Sequence, residues 1–385
     1  MSINRVKPDI RLITRMVPRD GNLVQGQSEL AIDRDLAAAA SAEIFASHNH
    51  YGPAEGAAPL RQSVAEKILA FNGITVDPDA KPHELLITHG GTGALIAIAH
   101  TYLKGASTLV FEPYYPYHKR IAEELGGVTE TFALDAETLE LDVDGLRSRC
   151  RALVERKEAP LKAIIVCTPV NPTGKVFTRS ELDAIGLICN EFDLLCISDE
   201  VYEHFVTGAV PHVSIASLPG MWERTITVNS FSKSWNISGW RLGYVYGHSS
   251  LVGPLFNVNN VFYVCSPTPL QNALGQVVMR SKDYYRELRD RFDHKRERAA
   301  GELERLGFEI YDSGSAFYLW VKIPSGFGDA MELNERLMKE AGVAGVPGSA
   351  FADSEMWDNR MRLCIAREDD VLDGALAKLA GFFKK

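Results

Sequence analysis

The sequence lacks the patterns that mark metal-binding, disulfide-stapled, membrane-spanning and nucleic-acid-binding proteins. Its six cysteines are scattered, with neither metal-site nor disulfide spacing, so we expect packed, reduced thiols, no metal and a cytoplasmic protein. The longest apolar runs, such as residues 163–167, have the length of a strand, whereas a membrane helix needs about 20 residues. No Lys/Arg run is present and the net charge is −9, which argues against a nucleic-acid partner.

What is present is a large chain in which short apolar runs alternate with helical segments. With 385 residues, 46% of them hydrophobic, the chain can bury a large core in two lobes. Strands are predicted at residues 85–88, 108–111, 128–133, 163–167, 195–198 and 226–228. Because these strands are apolar on both faces and are separated by helices, they predict a largely parallel sheet covered on both sides. Residues 1–32 are predicted to be an irregular arm, and the chain after residue 253 a smaller α+β lobe.

A lysine among small hydroxyl residues is the central feature of the sequence. Lys233 follows a β-like run and lies in residues 230–244, SFSKSWNISGWRLGY, with Arg241 eight residues further on. Partial burial and a nearby cation both disfavour the charged amine, so they lower its pKa, as an imine-forming lysine requires. The hydroxyls of Ser230 and Ser232 together with Arg241 suit a phosphate dianion. An aldehyde cofactor with a phosphate group fits both features, and pyridoxal phosphate is that molecule.

This stretch closely resembles the cofactor-lysine motif of class I/II aminotransferases, which are fold-type I pyridoxal-phosphate enzymes. A bare Ser-x-Ser-Lys would more often be an ordinary turn, but the resemblance extends from about residue 20 to the C-terminus. It implies an α/β fold whose large domain, residues 46–280, holds a mostly parallel seven-stranded sheet between helices. Residues 1–45 and 281–385 then form a smaller, discontinuous α+β domain.

Two segments that follow predicted strands match the family's contacts to the cofactor ring. Asp199 ends a strand, where open α/β sheets bind ligands, and the resemblance implies that it keeps the pyridine nitrogen protonated. Tyr202 and the amide of Asn171 are implied to bond the phenolic oxygen, and Asn171 also lies near the substrate carboxylate. The alternatives are a helix cap with a packed tyrosine at residues 199–202 and an ordinary Asn-Pro-Thr-Gly turn at residues 171–174.

Other matches complete the implied cofactor site. Gly91 and Thr92 lie in a glycine-rich turn at a helix start, a natural anion site, and correspond to the second half of the phosphate cup. Tyr115 takes the place of the aromatic residue that stacks on the pyridine ring. His118 matches a histidine that bonds the ring-facing aspartate, although a lone histidine is more often a satisfied core or surface residue.

The substrate side of the site is less family-like. Arg362 matches the arginine that forks onto the substrate α-carboxylate, and Arg360 and Arg367 are interpreted as surface cations. Gly26 keeps the glycine whose backbone approaches the substrate, but residues 26–30 depart from the family's usual Gly-Glu-Pro-Asp-Phe.

The resemblance also implies a homodimer with shared active sites. Tyr51 precedes a segment in which family members direct a tyrosine to the phosphate of the neighbouring subunit; the alternative is a surface loop tyrosine. Residues 257–271 contain no arginine, whereas aspartate-specific members use an arginine there from the partner chain. Phe262 and Tyr263 lie there instead and favour neutral or aromatic amino acids.

We therefore predict a pyridoxal-phosphate-dependent aminotransferase that moves an amino group from an L-amino acid to a 2-oxo acid, with 2-oxoglutarate as the expected acceptor, in ping-pong fashion. Lys233, Asp199 and Tyr202 are the predicted catalytic residues. One alternative is a lyase or oxidase-type enzyme on the same scaffold, and Arg241 counts against carbon–sulfur lyases. A non-catalytic pyridoxal-phosphate-binding regulator is disfavoured, because strongly tuned sites usually signal catalysis.

Overall fold

The computed structural model describes residues 8–46, 49–280, 282–311 and 313–384. Its strands are β1 Leu85–His89, β2 Ser107–Glu112, β3 Val128–Ala133, β4 Leu161–Cys167, β5 Leu195–Asp199, β6 Thr225–Ser230, β7 Leu242–Gly247, β8 Glu309–Tyr311, β9 Tyr318–Lys322, β10 Val346–Pro347 and β11 Arg360–Cys364. Its helices are α1 Ile10–Met16, α2 Arg34–Phe45, α3 Ala58–Asn72, α4 Gly90–Ile98, α5 Pro116–Glu124, α6 Val143–Val154, α7 Arg179–Glu191, α8 Phe231–Ser234, α9 Ser249–Val252, α10 Leu255–Tyr263, α11 Thr268–Val277, α12 Lys282–Arg305, α13 Ala330–Ala341 and α14 Asp369–Phe383.

The larger sheet has seven strands in the order β1-β7-β6-β5-β4-β2-β3. Strands β2 to β6 run parallel, and β7 is antiparallel to both of its neighbours. The predicted α/β fold with a mostly parallel seven-stranded sheet is therefore confirmed. Six of the strands follow from the apolar pattern, whereas β7 begins inside the lysine motif of residues 230–244 and is not predicted from the sequence.

Helices cover both faces of this sheet because successive side chains of a strand point to opposite sides. In β4, Ile164 belongs to one buried cluster with Leu182 of α7, whereas Ile165 belongs to another with Ala94 and Ile98 of α4. Helix α7 begins at a capping box in which Thr178 and Glu181 exchange side-chain and backbone hydrogen bonds. The sheet is thus a layer that helices bury on both faces.

The smaller sheet is antiparallel, in the order β10-β11-β9-β8. Its core joins residues of β9 and β11 with α12, α13 and α14, and it includes Leu23 from the N-terminal segment. Among the residues that the structure describes, no helix combines the length and apolar character needed to cross a bilayer. All six cysteines are unpaired and five are buried, as expected for packed thiols.

The prediction of an irregular arm at residues 1–32 was wrong for part of its length. Residues Ile10–Met16 form α1, which the side chain of Asp9 caps by accepting hydrogen bonds from the backbone N–H groups of Arg11 and Leu12. Ile13 is buried in the cluster that also holds residues of α6 and α7. A helix this short is stabilised by packing rather than by propensity, so the sequence pattern gave little sign of it. Residues 1–7 of the predicted arm lie outside the described residues.

Candidate active site

One cleft of about 940 Å³ brings most of the predicted site residues together. It lies where β4, β5 and β6 end at their carboxyl edges, as expected for ligand sites of open α/β sheets. The predicted residues that line it are Gly26, Gly91, Thr92, Tyr115, Asn171, Asp199, Tyr202, Ser230, Ser232, Lys233, Arg241 and Arg362. Within the described chain, Tyr51 and His118 do not line this cleft; His118 lies directly behind Asp199.

Lys233 is held at the inner end of the cleft by the short helix α8. Ser230 caps this helix, its hydroxyl accepting a hydrogen bond from the backbone N–H of Ser232. The amine of Lys233 donates a 2.7 Å hydrogen bond to the backbone carbonyl of Gly26, in the N-terminal segment. Burial lowers the pKa of Lys233 to about 8, and the nearby guanidinium of Arg362 also favours the neutral amine. At neutral pH the folded protein therefore keeps an appreciable fraction of this amine unprotonated and nucleophilic.

Gly26 must be a glycine for steric reasons. A Cβ at this position would lie 2.2 Å from the hydroxyl of Tyr318, so the backbone could not approach the lysine as it does. The approach of the Gly26 backbone to the substrate stays a prediction.

Asp199 and His118 form a buried pair beneath the cleft. Nε2 of His118 lies 2.7 Å from Oδ2 of Asp199, and both residues are almost fully buried. Asp199 is the last residue of β5. The ring of Tyr115 packs edge-on against that of His118, with centroids 5.3 Å apart. This arrangement holds the Asp199 carboxylate in the cleft by a hydrogen bond to His118.

A concave, donor-rich cup lies at the other side of Lys233. Gly90 begins α4 with φ +69°, and a Cβ there would lie 2.6 Å from the guanidinium of Arg241. The backbone of Arg241 adopts a left-handed conformation, with φ 56°. Its guanidinium donates a 2.9 Å hydrogen bond to the carbonyl of Ser238. Ser230 donates a 2.9 Å hydrogen bond to the hydroxyl of Ser232. Free N–H groups at the start of α4, two hydroxyls and a guanidinium are a donor set that suits a phosphate dianion.

Arg362 lies on β11 with its guanidinium almost fully buried. It donates hydrogen bonds of 2.8 Å to the side-chain oxygen of Asn171 and 2.6 Å to the carbonyl of Val24. Its guanidinium also lies over the ring of Tyr318, 4.5 Å from the centroid. Among the described residues, Nε of Arg362 is buried without a hydrogen-bond partner. The N–H group at Nε of Arg362 is therefore a donor that a bound carboxylate could use.

The interpretation of Arg360 and Arg367 as surface cations was wrong. Arg367 is 2% exposed; it pairs with Glu29 at 3.2 Å and donates a 2.6 Å hydrogen bond to the carbonyl of Gln25. Arg360 is also buried and pairs with Glu137 at 2.9 Å. Arg367 therefore anchors the segment that carries Gly26, and the glutamate that departs from the family pattern is its partner. The acids lie more than 200 residues away in sequence, so local pattern could not reveal these pairs.

Tyr318 is a residue of the site that the sequence reasoning missed. Its hydroxyl lies 2.8 Å from that of Tyr202, and both side chains line the cleft. Burial raises the pKa of Tyr318 to about 12 and that of Tyr202 well above its usual value, so both phenols stay protonated. Because Tyr318 lies in an apolar strand, the sequence indicates only that it packs in the core. Its hydrogen bond to Tyr202, which follows a strand of the larger sheet, shows that its hydroxyl belongs to the cleft.

A buried ion pair supports the loop between β5 and β6. Lys67 of α3 contacts the carboxylate of Glu203, and each side chain is 3% exposed. Burial alone would raise the pKa of Glu203, but Lys67, His204 and His212 together outweigh burial and lower the pKa to about 2. The amide of Asn229 donates to the same carboxylate, and its oxygen accepts a 2.7 Å hydrogen bond from the N–H of Ser230. The network thus connects the loop carrying Tyr202 with the strand end that precedes Lys233.

Two groups of predicted residues do not line the cleft in the described chain. Tyr51 is 87% exposed. Tyr263 stacks on His89, with ring centroids 5.0 Å apart, and Phe262 is half exposed at the end of α10. Within one described chain, neither ring therefore supports a preference for neutral or aromatic substrates.

Comparison with known proteins agrees with this geometry. The family model for aminotransferase class I and II matches residues 21–379. A probable N-succinyldiaminopimelate aminotransferase of Mycobacterium tuberculosis is 31% identical, over 99% of this chain and 98% of that protein. An aspartate aminotransferase of Pyrococcus abyssi is 33% identical, over 86% of this chain and 83% of that protein.

A solved structure leads to the same family. The solved structure of the N-succinyldiaminopimelate aminotransferase of Mycobacterium tuberculosis superposes with a TM-score of 0.89 at 32% identity, covering 96% of this chain and 95% of the other. Members of this family use pyridoxal phosphate, and the cup, the lysine and the buried aspartate described above fit that cofactor. The chain therefore belongs to the aminotransferase class I and II family and is a pyridoxal-phosphate-dependent aminotransferase of fold type I.

Proposed function

We propose that Lys233 carries the proton at Cα of an L-amino acid substrate whose carboxylate is bound by Arg362 and Asn171. When bound, pyridoxal phosphate supplies the electron sink that makes the Cα proton removable. The observation that carries the proposal is the amine of Lys233, with its pKa lowered to about 8, in the same cleft as the guanidinium of Arg362. An amine that can be neutral near pH 8 can accept a proton and return it in the same active site.

Other side chains are assigned roles by the chemistry that they face. Asp199, held by His118, would keep the ring nitrogen protonated, and Tyr202 with Asn171 would donate to the phenolic oxygen. Tyr115 would cover the face of the ring. The phosphate would be bound by the cup that includes Gly91, Thr92, Ser230, Ser232 and Arg241.

We also propose a homodimer with shared active sites. Tyr51 is 87% exposed, and the neighbouring carbonyl of His50 accepts a 2.9 Å hydrogen bond from Thr268, the first residue of α11. Val261 of α10 and Val264 just beyond it are 79% and 46% exposed. Exposed apolar side chains beside a predicted partner-facing tyrosine support an interface here. Sedimentation of the holoenzyme tests this, and a monomer at micromolar concentration would contradict it.

The proposed domains are residues 46–280 and residues 1–45 with 281–385. The buried cluster that joins Leu23 with β9, β11 and α14 supports the smaller domain. Leu36 of α2, by contrast, shares a buried cluster with Leu60 of α3, so α2 packs against the larger domain. Buried, unpaired cysteines also support the proposal of a cytoplasmic protein.

The donor and acceptor are proposed as an L-amino acid and 2-oxoglutarate. Similar proteins named for N-succinyldiaminopimelate and for aspartate support amino and oxo acid substrates without selecting one.

A panel of amino acids mixed singly with the holoenzyme tests the reaction. Transamination predicts conversion of the cofactor spectrum to that of its aminated form, with release of one 2-oxo acid per site. Ammonia and pyruvate without that conversion would instead indicate an eliminating lyase.

A further inference from the structure

The outer end of the cleft carries four cations. Arg11 and Arg15 of α1 and Lys119 and Arg120 of α5 line the same cleft as Lys233, and we call these four residues the cationic rim. The three arginines are exposed, in contrast to the buried Arg362 at the inner end. The cleft therefore has a buried guanidinium at its inner end and exposed guanidinium groups at its outer end.

The carboxylates near the rim are already engaged. Asp353 lies 2.6 Å from the amine of Lys119, and Glu123 lies 3.8 Å from the same amine. Asp9 caps α1 through its side chain. Among the described residues, neither Arg15 nor Arg120 forms an ion pair. In a protein with a net charge of −9, this local surplus of cations favours an anionic ligand.

One arginine of the rim is tied directly to the predicted cofactor site. Nη2 of Arg11 donates a 2.6 Å hydrogen bond to the hydroxyl of Tyr117. The ring of Tyr117 stacks on that of Tyr115, with centroids 5.2 Å apart. Tyr117 thus links Arg11, at the outer end of the cleft, to Tyr115, the residue predicted to cover the cofactor ring.

The rim also supplies a charge that the rest of the site lacks. A dicarboxylic substrate needs a cation for its second carboxylate, and Arg362 is assigned to the first. Lys233 and Arg241 are assigned to the reaction and the phosphate, and residues 257–271 contain no arginine that a partner chain could contribute from that segment. The remaining cations of this cleft are those of the rim.

We propose that the cationic rim, chiefly Arg11 and Arg15, binds an anionic group at the distal end of the substrate side chain. The cleft then prefers amino acids and 2-oxo acids with a second carboxylate over neutral ones. The inference rests on the proposed function, because it requires that Arg362 binds the α-carboxylate. It replaces the preference for neutral or aromatic donors that Phe262 and Tyr263 suggested.

Two matched pairs of donors test the rim in the holoenzyme: L-glutamate against L-glutamine, and L-2-aminoadipate against L-norleucine. In each pair the chain length is the same and the distal charge differs. For Arg11→Gln and Arg15→Gln combined, we expect the acidic-to-neutral ratio of kcat/KM to fall about tenfold or more, chiefly through KM, since charge-assisted hydrogen bonds are lost. Arg11→Lys with Arg15→Lys should restore most of the ratio, because the positive charges return.

The control is Arg286→Gln, an exposed arginine of α12 outside the cleft, which should leave both ratios unchanged. Equal ratios in the wild-type and doubly substituted proteins, with neutral donors still converted, would overturn the rim as a specificity element and leave the proposed function intact. Conversion of no donor by the wild-type protein would overturn the proposed function and the inference with it. Unchanged cofactor absorbance and melting temperature of the variants would exclude misfolding as the cause of a lower ratio.

Discussion

The inner and outer ends of the cleft are built in opposite ways. At the inner end, Arg362, Asn171 and Asp199 are buried and hydrogen-bonded to fixed partners. At the outer end, the arginines of the cationic rim are exposed and lie on two helices of the surface. Fixed, desolvated groups suit a reaction that is common to all substrates. Exposed charges on surface helices suit discrimination between substrates that differ in side-chain charge. With the roles proposed above, different parts of this chain would determine the reaction type and the choice of substrate.

The largest expected effect is the loss of the inner lysine. Lys233→Ala should lower turnover by about 10⁴-fold or more, because the group that moves the Cα proton is absent. Borohydride treatment of the cofactor-loaded variant should no longer attach the cofactor covalently to the chain, which mass spectrometry measures. Covalent attachment at full occupancy in this variant would contradict the assignment.

A second prediction concerns stability and compares a buried ion pair with one at the rim. Lys67→Met leaves the carboxylate of Glu203 buried without its cation and should lower the free energy of unfolding by about 3–5 kcal/mol. Lys119→Met breaks a partly exposed pair with Asp353 and should cost less than about 1 kcal/mol. Urea denaturation of both variants measures the difference. Equal losses of unfolding free energy in the two variants would contradict the expected difference between the buried ion pair and the pair at the rim.

The third prediction concerns the inner carboxylate site. Arg362→Lys should lower kcat/KM by about a hundredfold for donors of every side chain, since a lysine cannot reproduce the two-pronged contact of a guanidinium with a carboxylate. Steady-state rates with several donors measure this. An effect confined to one class of donor would show that Arg362 contacts the side chain instead of the α-carboxylate.

The smallest expected effect is a shift in the titration of Lys233. Burial lowers its pKa to about 8, so its amine is mostly protonated below pH 8 and mostly neutral above it. The rate at which cofactor-free protein captures pyridoxal phosphate should therefore rise with pH and level off above about 8. Arg362→Gln removes one cation that disfavours the charged amine, so the midpoint should move to higher pH. A midpoint near the ordinary lysine value, about 10.4, in the unsubstituted protein would contradict the burial of this amine.

The inner end of the cleft could be predicted from the sequence because its signals are local. Lys233, Arg241 and Ser230 lie within one stretch of 15 residues, and Asp199 and Asn171 follow apolar strands whose ends must meet in a parallel sheet. The strands themselves follow from runs that are apolar on both faces. These features depend on neighbours in sequence or on a simple rule of topology.

The parts that could not be predicted depend on contacts between distant segments. Arg367 looks like a surface cation until Glu29 and the carbonyl of Gln25 are placed beside it, and Tyr318 looks like core until it meets Tyr202. Helix α1 is only seven residues long, so its stability depends on the burial of Ile13 against distant segments of the chain. The cationic rim likewise appears only when α1 and α5 come together at one edge of the cleft.

The most direct test of the account is the acidic-to-neutral ratio of kcat/KM, with L-glutamate and L-glutamine, for variants at the two ends of the cleft. We expect Arg362→Lys to lower both rates by a similar factor, so that the ratio stays within about twofold. Substitution of Arg11 and Arg15 by glutamine should instead lower the ratio about tenfold. A ratio that changes more with Arg362→Lys than with the rim substitutions would contradict the division between reaction and selection.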